Sequence, residues 1–263
     1  MANEITPVGP ESMMDYGKWE AETAQGERDD LARSTSKFLK LVVGPNRVRF
    51  LPPQVGKRSP FVTVFQHFMR LKEQERPFVF NCPRMMAKSP CPACIKSDRL
   101  RATGNAKDAA AASDMWPGRR VFANVIARAQ ESDGPIIFGF GKLIHEALLA
   151  LRTNEDIGGD FTHPHDGLDI VIERTGTGKI DTKYRVYPVR RSTPLGNMEW
   201  ISMQADLTLL AYVPTMAEIM ESVKKIQEAS ALAKEGAKAP RTPDISDDLG
   251  NGDPGFDDDQ IPF

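Results

Sequence analysis

The chain of 263 residues has only three cysteines. The number is odd and too small for a disulfide framework, so a metal or reduced-thiol role is the natural expectation. No run of about 18 apolar residues occurs, so no transmembrane helix is expected. The start, Met1-Ala2-Asn3-Glu4, lacks the basic stretch and apolar run of a secretory signal, and a cytoplasmic location is expected. No internal repeat is visible, and no nucleophile–base set stands out. Gly176-Thr177-Gly178-Lys179 is no phosphate loop, because Glu173 stands where its first glycine belongs and Ile180 where its Ser/Thr belongs. Gly139-Phe140-Gly141 lacks the third glycine of a dinucleotide loop, and His163-Pro164-His165-Asp166 reads as a polar loop.

Charge is present but unevenly placed. Residues 1–36 carry eight acids against three bases, and residues 241–263 carry seven acids against one base. With a net charge of −2 for the whole chain, the stretch between them holds nine more bases than acids. A basic body between acidic ends fits a nucleic-acid binder with a self-masking tail.

Residues 1–36 read as a flexible acidic region with at most one short helix near Tyr16–Glu22. Phe38–Val43 and Arg47–Leu51 read as a hairpin around Gly44-Pro45-Asn46. Phe61–Phe68 alternates as a strand with Phe61, Phe65 and His67 on one face. Arg119–Arg128 and Pro135–Phe140 read as strands, Lys142–Arg152 as a helix, and Leu168–Arg174 with Lys179–Val189 as a second hairpin. Asp206–Val213 reads as a last strand. Thr215-x-x-Glu218 is a capping box that opens a helix with Met216, Ile219, Met220, Val223 and Ile226 on one stripe, ending at Gly236. From 237 onward the chain reads as a disordered acidic tail. The expected fold is mainly β with a few helices: an OB-fold barrel over 37–214 with a zinc subdomain inserted at about 61–107.

His67, Cys82, Cys91 and Cys94 bring four nitrogen and sulfur donors within 28 residues and use every cysteine in the chain. Zinc takes four such donors in a tetrahedron, and the Cys91-x-x-Cys94 spacing lets two sulfurs reach one ion from a tight turn. One structural Zn2+ is therefore expected. A nucleobase deaminase would share Pro90-Cys91-Pro92-Ala93-Cys94, but it also needs His-x-Glu, and His67 is followed by Phe68-Met69.

A His, a Cys and a Cys-x-x-Cys set among OB strands, ahead of an acidic tail, resembles the zinc-containing, helix-destabilising single-stranded DNA-binding proteins of T-even-type bacteriophages. That resemblance implies non-enzymatic coating of single strands during phage DNA replication, recombination and repair, in the host bacterial cytoplasm. It also implies cooperative self-association through a basic Ser/Thr motif, which Leu31-Ala32-Arg33-Ser34-Thr35 resembles through Arg33, Ser34 and Thr35. The tip Asp257-Asp258-Asp259-Gln260-Ile261-Pro262-Phe263 resembles the end of bacterial single-stranded DNA-binding proteins. There, acids followed by Ile-Pro-Phe dock replication and repair proteins. Asp257, Asp258, Asp259, Ile261, Pro262 and Phe263 are thus the expected partner-binding residues, for polymerase, helicase-loader, primase or recombinase partners.

Binding a single strand asks for cations along phosphates and aromatic faces for bases. Candidates are Arg47, Arg49, Arg58, Arg70 and Lys72, then Arg84 and Lys88 on the zinc module. Trp116, Arg119, Arg120 and Phe122 form one cluster, and Phe138 with Phe140 another. Lys183, Tyr184, Arg185, Tyr187, Arg190 and Arg191 follow on one hairpin strand, with Lys183, Arg185 and Tyr187 on one face. Two other readings stay open: a zinc-containing RNA or duplex-DNA binding module, and a zinc enzyme acting on nucleic acid.

Overall fold

A computed structural model of the chain describes residues 23, 26, 38–71, 77–154, 156–157, 159–178, 181–191 and 194–236, the last seven by backbone alone. The expected N-terminal helix, Arg33, Ser34, Thr35, Lys72 and the tail from 237 lie outside the described residues. Among those described are seven strands: β1 (Gly44–Phe50), β2 (Val62–Met69), β3 (Phe78–Asn81), β4 (Gly118–Ala127), β5 (Ile136–Phe140), β6 (Ile170–Thr175) and β7 (Lys183–Pro188). Five helices accompany them: α1 (Pro83–Ala87), α2 (Pro92–Ala102), α3 (Ala106–Asp114), α4 (Lys142–Thr153) and α5 (Met216–Gly236).

The strands form one antiparallel sheet in the order β3-β2-β4-β1-β6-β7, with β5 on the remaining edge of β4. Strand β4 is its spine. Along one edge it pairs first with β2 (Gln66↔Gly118, Val62↔Phe122) and then with β1 (Phe50↔Val125, Val48↔Ala127). Along the other edge it pairs with β5, from Val121↔Phe140 to Val125↔Ile136. Two strands leaving one edge at successive heights force the sheet to curl, which makes the OB-type barrel the sequence led us to expect. The helical insert α1–α3 lies between β3 and β4.

Alternation along β4 sends Val121, Ala123, Val125 and Ala127 into the main core with Phe50, Ile170 and Ile172. Phe50 sits at its centre, with the rings of Phe61, Phe138, Phe140 and Phe161 at 5.7–6.4 Å in edge or tilted contact. The opposite face of β4 is buried too. Leu207 and its neighbours cover Val64, Phe122 and Ile137, while Leu195 covers Leu51 and Ile126. The Asn124 amide clamps this cover by donating to the Ala205 carbonyl at 2.9 Å and accepting from the Ala205 N–H at 3.2 Å.

Two expected elements differ. Phe38–Val43 does not pair with Arg47–Leu51. Phe38 instead bridges Ile137 of β5 in parallel, and Val42 and Val43 stay exposed. The reason is local: Gly44 at φ +103° and the Asn46 side chain, bonded to both Val42 backbone groups, bend the chain away, and β6 takes the vacated edge of β1. Asp206–Val213 is a 3-10 turn, Leu207–Ala211, because the Asp206 carboxylate accepts from the Thr208 N–H at 2.9 Å and caps it. The Thr215–Glu218 capping box is present, with reciprocal bonds at 2.6 and 3.3 Å. Of the α5 stripe, Ile219 is buried, while Met216 and Met220 remain about half exposed.

Three arginines converge on one buried carboxylate. Asp169 accepts from Arg47 at 2.7 Å and from Arg128 at 3.0 Å, and Arg49 lies 3.9 Å away with its Nη2 donating to the His163 carbonyl at 2.6 Å. The loop that carries His163 closes over Arg49 only because residue 167 is glycine. A Cβ there would stand 2.5 Å from the Phe161 and His163 carbonyl oxygens and 2.7 Å from the Arg49 guanidinium. We predict that Gly167→Ala destabilises the protein by about 1–3 kcal/mol or more, as overpacking against rigid backbone does. An unchanged urea midpoint for that variant would refute this reading of the loop.

Candidate metal centre and nucleic-acid interface

Strand β2 carries His67, the start of α1 carries Cys82, and the start of α2 carries Cys91 and Cys94. All four are buried, and their donor atoms lie within 4.8 Å of one another. His67 Nε2 is 3.3 Å from Cys91 Sγ and 3.5 Å from Cys94 Sγ, and the Cys82 and Cys94 sulfurs are 3.5 Å apart. Zinc bonds of about 2.0–2.3 Å in a tetrahedron place donors about 3.4–3.8 Å apart, so the residues fit one Zn2+.

The surroundings fit as well. His67 Nδ1 meets the Met115 carbonyl at 2.7 Å, which holds the proton on Nδ1 and leaves the Nε2 lone pair toward the sulfurs. Phe80 stacks on the imidazole at 5.0 Å. Prolines at the first position of α1 and α2 start each helix directly after Cys82 and Cys91, and neither cysteine caps its helix through its side chain. Thiolates placed there complement the positive ends of both helices. Burial, reinforced by Cys82 and Cys91, pushes the Cys94 thiol well above its ordinary range. A cation at the centre is what makes buried thiolates tolerable.

The helical insert ends beside the start of β4, and here cations and rings gather. Trp116 is 38% exposed with the Arg101 guanidinium 4.3 Å over its ring. Arg119 is hydrogen-bonded to His145 of α4. Arg120 lies over Phe68 at 6.0 Å, and burial lowers its pKa while the nearby Tyr184 phenol opposes that shift. Tyr184, opposite Arg174 of β6, is itself 37% exposed on β7. On the outer face of β1, β6 and β7, register sets Arg47, Val171 and Tyr187 in one row, and Glu173 and Arg185 in the next at 3.8 Å. Lys183 shares that face. Arg58, Arg70, Lys88, Arg190 and Arg191 are exposed elsewhere, and Arg84 is exposed but tied to Asp98 at 2.6 Å.

Four candidates are withdrawn from the surface. Phe122, Phe138 and Phe140 are 0–2% exposed, because both faces of β4 and the inner face of β5 are core, so they cannot stack on bases. Arg49 is fully buried in the Asp169 cluster.

The family model described as gp32 DNA binding protein like matches residues 43–229. The chain belongs to that family. No curated protein matches it. The matched span covers the curled sheet, the four donors, Trp116 and Tyr184.

Two contributors were not legible from the sequence. The Met115 carbonyl is backbone, and no residue type announces it. Asp169, which binds three arginines, is one acid among many until the fold brings its partners from β1 and β4. Cys91→Ser is expected to abolish stoichiometric zinc binding and to lower Tm by roughly 10 °C, as ~3 kcal/mol of lost stability does in a chain of this size. Metal analysis and a melting curve with and without a chelator check this.

Proposed function

We propose that the protein binds and coats single-stranded DNA, largely without sequence preference, during phage DNA replication, recombination and repair. The observation that carries this reading is the membership of residues 43–229 in the gp32 DNA-binding family, and half-exposed Trp116 and Tyr184 together with Arg119 and Arg120 of β4 support it. Single strands expose base faces that duplexes hide, and half-exposed Trp116 and Tyr184 offer rings for them beside guanidinium groups for the phosphates. Arg47, Lys183, Arg185 and Tyr187 extend the path on the outer face of β1, β6 and β7. Arg58, Arg70, Lys72, Arg84, Lys88, Arg190 and Arg191 belong to the basic field that draws the strand in. Four protein donors leave zinc no place for a reactive water, so the metal holds the insert and does no chemistry.

The ends supply regulation in this proposal. Asp257, Asp258 and Asp259 compete with DNA for the basic path, and displacement offers Ile261, Pro262 and Phe263 to replication proteins. Arg33, Ser34 and Thr35 support cooperative contact between neighbouring copies.

Fluorescence titration with an oligothymidine and a matched duplex across a salt series is the direct test. Single-strand affinity should exceed duplex affinity, and log K should fall linearly with log salt, with a slope of about −0.7 per phosphate contacted. Trp116→Ala should cost about 1–3 kcal/mol in single-strand binding at constant fold. Equal or better duplex binding overturns the reading. Removing residues 241–263 should strengthen DNA binding at low salt; weaker binding sinks the masking role of the tail.

A further inference from the structure

A cavity of about 230 Å³ opens between the β1–β2 loop and the segment that covers β4. Gln54, Lys57, Arg58, Ser59, Phe61, Asn124, Gln204, Leu207 and Thr208 are among its walls. None of the four metal donors lines it. Its size suits one planar ring with an attached polar group, well below the roughly 300–1,000 Å³ of pockets for larger ligands.

The polar walls fall into two sets. One set is committed to the fold. Gln54 Nε2 donates to the Ala205 carbonyl at 3.0 Å, the Asn124 amide holds both Ala205 backbone groups, and the Thr208 hydroxyl donates to Asp206 at 2.7 Å. The other set consists of donors without acceptors. Gln204 Oε1 accepts from Asn124 Nδ2 at 3.4 Å, which assigns the amide orientation and leaves Gln204 Nε2 buried without a partner. Ser59 Oγ accepts from the Phe61 N–H at 3.1 Å, so its own proton is available. Lys57 and Arg58, both exposed, form no ion pair among the described residues. A buried donor with no acceptor costs stability, so such a site favours a ligand rich in acceptors.

We infer that this cavity is a subsite for one pyrimidine nucleotide of a bound single strand, its keto oxygen accepting from Gln204 Nε2 once that amide turns out of its buried position, and its phosphate lying on Lys57 and Arg58. Phe61 and Leu207 supply the apolar walls for the ring. Adenine presents an amino donor where thymine presents a carbonyl, so it sets donor against donor here. The subsite rests on the single-strand reading and adds to it a modest base preference on a path that otherwise ignores sequence.

Affinities of the full-length protein for oligothymidine and oligodeoxyadenosine of equal length, at one salt concentration, give the readout. The wild type should favour oligothymidine. Gln204→Leu should reduce the thymidine-to-adenosine affinity ratio by about three- to tenfold, the range of one net hydrogen bond. Gln204→Glu, which replaces the donor with an acceptor, should reduce it at least as far. Lys57→Ala, on the exposed loop where folding is not at risk, should flatten the salt slope by about 0.7. An affinity ratio unchanged in both Gln204 variants overturns the subsite while leaving strand coating intact. A wild type that binds neither oligonucleotide overturns the function on which the subsite rests.

Discussion

Three thiols and an imidazole packed within 4.8 Å, out of reach of water, are the constraint on which the rest of this molecule depends. The helices of the insert between β3 and β4 contribute little apolar core of their own. Across α2 the buried residues are Ala93, Cys94 and Ser97, and across α3 only Ala112. Helices with such small buried faces do not hold themselves together by burial. A zinc held by these four donors would substitute for that core, joining β2, α1 and α2 at one point. Met115 links the site to its surroundings: its carbonyl orients His67, and the next residue is Trp116. The metal donors, the ring and the first residues of β4 are therefore one mechanical unit. The C-terminal helix is attached to the same unit through Ile219, which packs in the cluster of Cys82, Cys91 and Cys94.

The metal donors were legible because their signal is local in type and spacing. Few residues other than Cys and His bind zinc, and the chain has three cysteines in all, so chemistry alone narrowed the choice. The strands β2, β4, β5, β6 and β7 were legible from alternation and turn residues. The hairpin at 38–51 was not, since an Asn46 side chain bonded back to Val42 competes with strand pairing and leaves no periodic trace. The 3-10 turn at Leu207 was hidden for a similar reason: a capping carboxylate outweighed an apolar run.

Surface aromatics were the least legible, and the pattern of failure is physical. Phe122, Phe138 and Phe140 sit on strands whose covered faces can be known only once the segment 194–211 is seen to fold over β4. Among the described residues, the exposed aromatics, Trp116, Tyr184 and Tyr187, all carry a polar atom. A phenol or indole can stay at a wet boundary with one end hydrated, which a bare phenyl ring does at greater cost. Among aromatics of a basic strand, polarity is thus a better guide to exposure than position.

The arginines teach a related lesson about charge. A count along the chain treats every guanidinium as available, yet Arg49 and Arg128 turn inward on Asp169 and Arg47 gives it one of its nitrogens. Breaking such a buried set is costly, so Arg49 and Arg128 are bound to the fold before any phosphate arrives, while Arg47 keeps half of its side chain exposed. Fewer cations can touch a phosphate than the sequence counts, although the net excess of nine bases, which already includes Asp169, stands. Of the cations with no carboxylate at hand among the described residues, Arg120 is the clearest. Burial lowers its pKa, Tyr184 partly offsets the shift, and no salt bridge to it is found among the described residues. A guanidinium desolvated by its own fold and lacking an internal anion gains more from an incoming phosphate than a hydrated lysine does. Under the proposed strand-coating function, a cation of that kind is the one that gains most from a phosphate.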